Sequence, residues 1–188
     1  HSRRGLARIE QSFKPLLGRP CWDVKYDANT NLSINFGAPR MMIREPFSSN
    51  SKDQTVRKMF QSRDIRIVGM WRLWIFCAFW KITDGGTTSA SFSSSMRTMR
   101  MALFHLDGQK LPSVVVNPVT GATVFSFDLG STLSVRRLRV RVDDDEDLWL
   151  LYQPNGYVLS VRGDGTYDHV PGSGLDHRPG LKSQKLAQ

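Results

Sequence analysis

The chain is poor in cysteine, has no long apolar run and carries no assembled catalytic motif. Each lack excludes something. Two cysteines in 188 residues, Cys21 and Cys77, cannot staple a disulfide scaffold. Both stand in strand-like runs and read as buried, reduced thiols, from which a cytoplasmic location is expected. No apolar run reaches the roughly 20 residues of a membrane-spanning helix, so no membrane span is expected. There is no C-x-x-C or H-E-x-x-H metal pattern, no Walker A loop and no G-x-S-x-G elbow. The run Gly163-Asp164-Gly165 lacks the third glycine and the following helix of a dinucleotide-binding turn. His1 and His177 lie near the ends, which leaves His105 and His169 as candidates for acid–base work. Neither has a nucleophile motif beside it, so no catalytic residue, cofactor or metal is assigned.

What is present is a foldable, basic chain. Hydrophobic residues make up 40% and charged residues 23%, enough apolar material for a core. The formal net charge of +9 points towards polyanions, but its distribution weakens that inference. Residues 1–20 carry five basic residues against Glu10, and residues 172–188 carry three against Asp176. The two ends thus hold +6, and the body between them is close to balanced. One globular domain over 1–171 is expected, followed by a flexible basic tail over 172–188, where Pro, Gly, Ser and Lys dominate.

The periodicity predicts an α+β fold. A helix over 4–14 follows from Leu6, Ile9 and Phe13 at spacings of three and four. Residues 22–26 and 32–36 alternate around the turn residues 27–31 and read as a hairpin. Gly37-Ala38-Pro39 reads as a turn into a third strand over 40–45. A short helix over 55–61 would bury Val56, Met59 and Phe60. Residues 65–82 are apolar at both parities and read as one central strand covered on both faces, with a bend or bulge at Gly69. Residues 87–95 read as a Ser/Thr loop. Ser94 or Ser95 caps a helix over 96–106, which ends at Asp107-Gly108 and in which Met96, Met99 and Met101 are read as core. Strands over 113–116, 123–128, 133–142, 148–152, 157–162 and 166–170 follow. Asn155-Gly156 and Asp164-Gly165 mark hairpin turns, so the C-terminal third reads as an antiparallel meander. The expected architecture is a mainly antiparallel, strongly curved sheet carrying two or three helices.

Three constellations stand out. In the strand over 133–142 the apolar parity slips near Arg136, after which Arg137, Arg139 and Arg141 share a face. Three arginines on one face suit phosphates or an acidic partner. The unbroken acidic run Asp143, Asp144, Asp145, Glu146 and Asp147 follows at once. Its spacing lacks the alternation and central glycine of a calcium loop, so it reads as a solvated hairpin loop or a partner contact. The aromatics Trp71, Trp74, Trp80, Tyr26 and Phe36 read as core rather than as a base-stacking platform.

The function expected from these features is non-enzymatic protein binding, as by an accessory or immunity-type partner of a bacterial toxin or effector. The adjacent opposite charges of Arg137, Arg139 and Arg141 and of Asp143 to Asp147 would form the contact. Two other readings stay open. One is a nucleic-acid-binding domain using the same arginine face. The other is a metal-dependent nuclease or hydrolase drawing on Asp23, Asp128, Asp143 to Asp147 and Asp164.

Overall fold

The computed structural model describes residues 2–26, 31–76, 78–138, 146–172 and 184–185. The chain opens with helix α1 (Ser2–Phe13) and a 3-10 turn, Lys14–Leu16. Strands β1 (Cys21–Tyr26) and β2 (Leu32–Arg44) form the expected hairpin. Helix α2 (Gln54–Phe60) leads to β3 (Asp64–Ile75), then β4 (Phe79–Asp84) and β5 (Thr87–Ser91). Helix α3 (Met96–Leu106) precedes β6 (Ser113–Val116), β7 (Thr123–Ser126) and β8 (Ser131–Arg136). The chain then forms β9 (Asp147–Tyr152), β10 (Tyr157–Arg162), β11 (Thr166–Pro171) and β12 (Gln184–Lys185).

The fold is α+β with antiparallel sheets, as the periodicity predicts. The strands sort into two sheets rather than one strongly curved sheet. The larger runs β1-β2-β3-β9-β10-β11-β12 and the smaller β5-β4-β8-β7-β6, and both are open among the described residues. The apolar segment over 65–82 is the reason. It is not one strand: Ile75 ends β3 in the large sheet and Phe79 begins β4 in the small one. Both parities are apolar because the chain changes sheets between them.

The sheets meet across one hydrophobic cluster drawn from both. Trp149 on β9 donates its indole N–H to the Thr123 hydroxyl on β7 at 2.8 Å. It also meets the Phe125 ring edge-on at 6.1 Å. Phe13, from the end of α1, lies 5.9 Å from Phe125 and 5.6 Å from Trp149. Burying each such side chain is worth about 1.5–3 kcal/mol, and buried Trp149 also keeps its polar atom satisfied. The sheets also touch through their turns. A Cβ on Gly121, at φ +66°, would sit 2.0 Å from the Arg162 carbonyl oxygen, so only glycine lets these backbones meet.

Several expectations need correction. Gly37-Ala38-Pro39 is not a turn between strands but a bulge within β2, where the register to β3 shifts between Phe36 and Pro39. Gly37 takes φ +76°, and the Asn35 side chain accepts the Gly69 N–H at 2.9 Å where the ladder is interrupted. Residues 87–91 form β5 rather than a loop. Thr is at home in strands, and Asp84-Gly85-Gly86 turns the chain back onto β4. Of the strand expected over 133–142, β8 covers it as far as Arg136, residues 137–138 are not strand, and 139–142 lie outside the described residues. In α3, Met99 is core but Met96 and Met101 are exposed. Helix α2 has no buried residue, and Met59 is exposed. Apart from these corrections, Gln184–Lys185 forms β12 and pairs with Thr166 and Tyr167 of β11, while the rest of 173–188 lies outside the described residues.

Candidate binding surfaces

Of the residues singled out as a contact, Arg137, Glu146 and Asp147 are described, while Arg139, Arg141, Asp143, Asp144 and Asp145 lie outside the described residues. Arg137 runs along the turn at Gly163, where an added Cβ would meet its methylenes at 3.1 Å. Asp147 sits opposite Arg162 in the register of β9 and β10, with Asp147 Oδ1 3.4 Å from Arg162 Nε. That pair is within ion-pair range but lacks hydrogen-bond alignment. Arg162 also holds Asp168 of β11 at 2.7 Å. Burial pushes the Asp147 carboxyl above its ordinary value, Arg162 and the Ser160 hydroxyl pull it back, and Asp168 adds to the rise. Asp147 is thus largely taken up by a three-strand ion-pair cluster.

Groups that could do chemistry are likewise engaged. Burial pushes the Cys21 thiol up to about 12, and its S–H donates to the Leu106 carbonyl at 3.2 Å, so it is not a nucleophile at neutral pH. Cys77 lies outside the described residues. His105 Nε2 lies 3.8 Å from Asp84 Oδ1. The hydroxyls of Ser89 and Ser131 both donate to that carboxylate, not to the imidazole, so no nucleophile–base pair is set up there. Burial and Arg8 hold the His169 imidazole below its ordinary value. Among the described residues no group of three His, Cys, Asp or Glu side chains is placed to hold a metal.

Of the aromatics, Trp80 and Phe36 are fully buried. Trp71 lies under the Arg19 guanidinium at 5.5 Å and Trp74 packs on Phe76. Trp80, Phe36, Trp71 and Tyr26 are core or core rim, as expected, whereas Trp74 is half-buried on the other face of β3 and outside the hydrophobic cluster.

The surface that sequence reasoning missed is made by β2 and β3. Beyond the bulge, residues 39–44 of β2 and 64–69 of β3 pair with each other. β1 reaches only to Phe36, and β9 reaches only to Arg72. The two strands therefore project as a ribbon. Side chains alternate between faces, and the bulge keeps Met41 and Ile43 on the side of Ile34 and Phe36. Met41 stands opposite Ile67, and Ile43 opposite Ile65. All four are 51–61% exposed, whereas Leu73 and Ile75, further along the same face of β3, are buried. Among the described residues, the core-facing side of the large sheet thus continues into solvent with nothing above it.

The other face of the ribbon is occupied. Arg44 stacks on Phe47 and Phe60 at 5.6 and 5.0 Å and donates to the Met59 carbonyl at 3.2 Å. Arg66 pairs with Asp64 at 2.7 Å. Asp53 caps α2 by accepting the Thr55 N–H at 2.7 Å. Arg63 grips Glu45 at the tip with contacts from 2.8 Å. Helix α2 therefore closes over the Arg44 side and leaves Met41, Ile43, Ile65 and Ile67 uncovered. Positions 40–67 carry seven basic and three acidic residues, so this apolar face lies in a positive field.

A second uncovered surface lies on α3. Its buried side is Met99, Ala102, Leu103 and Leu106. At 100° per residue the opposite side runs Met96, Arg100, Phe104, Arg97, Met101. Phe104 is 80% exposed, the most of any large hydrophobic side chain described. Comparisons with protein-family models, with curated proteins and with solved structures found no match to this chain.

Proposed function

We propose that the chain is a non-enzymatic protein-binding module and that the projecting ribbon is its contact. The observation that carries this reading is the cross-strand apolar face of Met41, Ile43, Ile65 and Ile67, left open on the core-facing side of the sheet. Apolar side chains gathered on one exposed face mark interaction sites. Strand edges add to this. Backbone groups along residues 39–44 and 64–69 that face away from the ribbon lack a neighbouring strand among the described residues, and a partner strand could pair with them. The excess of basic residues selects a partner whose surface is acidic around an apolar centre. The accessory or immunity-type role is the narrower form of this proposal. It requires one-to-one neutralisation of an effector.

The test is a pull-down from nuclease-treated lysate of the source organism near physiological salt, read by mass spectrometry. Wild type and an I43S/I65S/I67S variant are compared. One stoichiometric protein partner, lost with the variant, is expected. Equal capture by both would remove the ribbon from the interface. Capture of nucleic acid in untreated lysate with a steep salt dependence would favour the nucleic-acid reading instead.

A further inference from the structure

The ribbon and α3 both expose apolar side chains among arginines, but their backbones differ. The ribbon has strand edges, whose N–H and C=O groups a hydrocarbon phase cannot satisfy. The α3 backbone is bonded within the helix, its N-terminus is capped by Ser95, which accepts the Thr98 N–H at 3.2 Å, and the Asp107 N–H donates to the Leu103 carbonyl at 2.9 Å. A helix so closed can lie in the boundary layer of a bilayer with its backbone satisfied.

We propose that the outer side of α3 is a docking surface for an anionic lipid membrane. Charge complementarity selects that occupant. Met96–Leu106 contains Arg97 and Arg100 and no acidic residue. These arginines alternate around the helix with Met96, Phe104 and Met101, so each guanidinium can reach a phosphate while its methylenes stay beside the buried apolar chains. The acidic groups nearest the helix end are already engaged. Asp107 accepts the Val24 N–H at 3.1 Å, and Asp84 accepts two serine hydroxyls. A groove of about 530 Å³ runs beside this face between α3 and β1, lined by Tyr26, Leu103 and Phe104 with Lys25, Arg100 and Asp107; Lys25 pairs with Asp23 at 2.7 Å, which leaves Arg100 as the cation facing it. A convex face with Phe104 at its centre, flanked by cations, fits a soft lipid boundary.

The experiment is co-flotation of the full chain with vesicles of phosphatidylcholine alone and of equal parts phosphatidylcholine and phosphatidylglycerol. Wild type is expected to float with the anionic vesicles only. F104S, and separately F104S/M101S, should weaken that binding by about tenfold or more, because a Phe side chain no longer leaves water. R97Q/R100Q should weaken it by on the order of tenfold or more and lower its salt dependence. All the substituted side chains are exposed, and unchanged circular dichroism confirms the fold. I65S/I67S should float as wild type does. Absence of binding to anionic vesicles overturns the proposal, as does binding that F104S and R97Q/R100Q leave unchanged. Loss of flotation in I65S/I67S instead would move lipid contact to the ribbon and also overturn it.

Discussion

The β2–β3 ladder has two halves built from similar residues. In the half over 32–36 and 71–75, Leu32, Ile34, Leu73 and Ile75 are buried. In the half over 39–44 and 64–69, Met41, Ile43, Ile65 and Ile67 point to the same side and are exposed. Propensity and alternation are alike in both halves. The difference is what shares the core with each half: the first half joins the buried cluster that includes Phe125 and Leu133 of the small sheet, and Met41, Ile43, Ile65 and Ile67 of the second half are not part of that cluster. Trp71 marks the boundary, half-buried under Arg19, with its ring against Gly37. Exposure of an apolar stripe is therefore a property of layer overlap, and strand patterning alone does not report it.

The widest contrast is a matched pair of truncations. Leu73→Ala should cost about 2–5 kcal/mol, because it opens a cavity in the covered half. Ile67→Ala should cost far less, since its side chain already faces water. Urea unfolding of both variants measures the difference, and equal losses would mean that the ribbon face is covered. Next is the junction between the halves. A Cβ at Gly69 would meet the Phe36 carbonyl oxygen at 2.6 Å and the Trp71 carbonyl oxygen at 2.7 Å. Gly69→Ala should therefore destabilise by about 1–3 kcal/mol as the bulge is forced open. A neutral result would show that the two halves can part at the bulge without strain.

Much of this fold was legible in the sequence. The span of α3 and its cap at Ser95, the β1–β2 hairpin and the β9–β10–β11 meander all follow from local signals: periodicity, an N-cap hydroxyl, Asn-Gly and Asp-Gly turns. The change of sheet between Ile75 and Phe79 was not legible. A doubly apolar segment reads the same whether one strand is covered twice or two strands serve one core. The ribbon was hidden by its own bulge, because Gly-Ala-Pro is turn chemistry and only the pairing of Met41 with Ile67 shows the strand continuing. The α3 face was misread because methionine at helical spacing is usually core. The wheel around Phe104 and the two arginines was the available signal.

A smaller effect should come from the ion-pair cluster beside the covered half. The Asp147 carboxyl is raised in the fold, chiefly by burial, so the folded chain binds its proton more tightly than the unfolded chain does. Stability contributed at this site is then greatest at low pH and falls as pH rises from the ordinary value of 3.8 through the raised one. Asp147→Asn removes that slope. The stability of the variant relative to wild type should therefore increase as pH rises across this window and level off above it. Thermal unfolding of both proteins across that range checks it, and parallel curves would show that Asp147 titrates as it does in the unfolded chain.

The smallest expected effect is the most telling for the ribbon. Ile65→Thr and Ile67→Thr keep a β-branched side chain on the strand and remove apolar surface that the fold does not bury. Stability should stay within about 0.5 kcal/mol of wild type in urea unfolding. A result in that range would show that the two isoleucines contribute little to the stability of the isolated chain, as the proposed partner contact requires. If either substitution costs as much as a core truncation, the ribbon is part of the core, and its apolar face is explained without a partner.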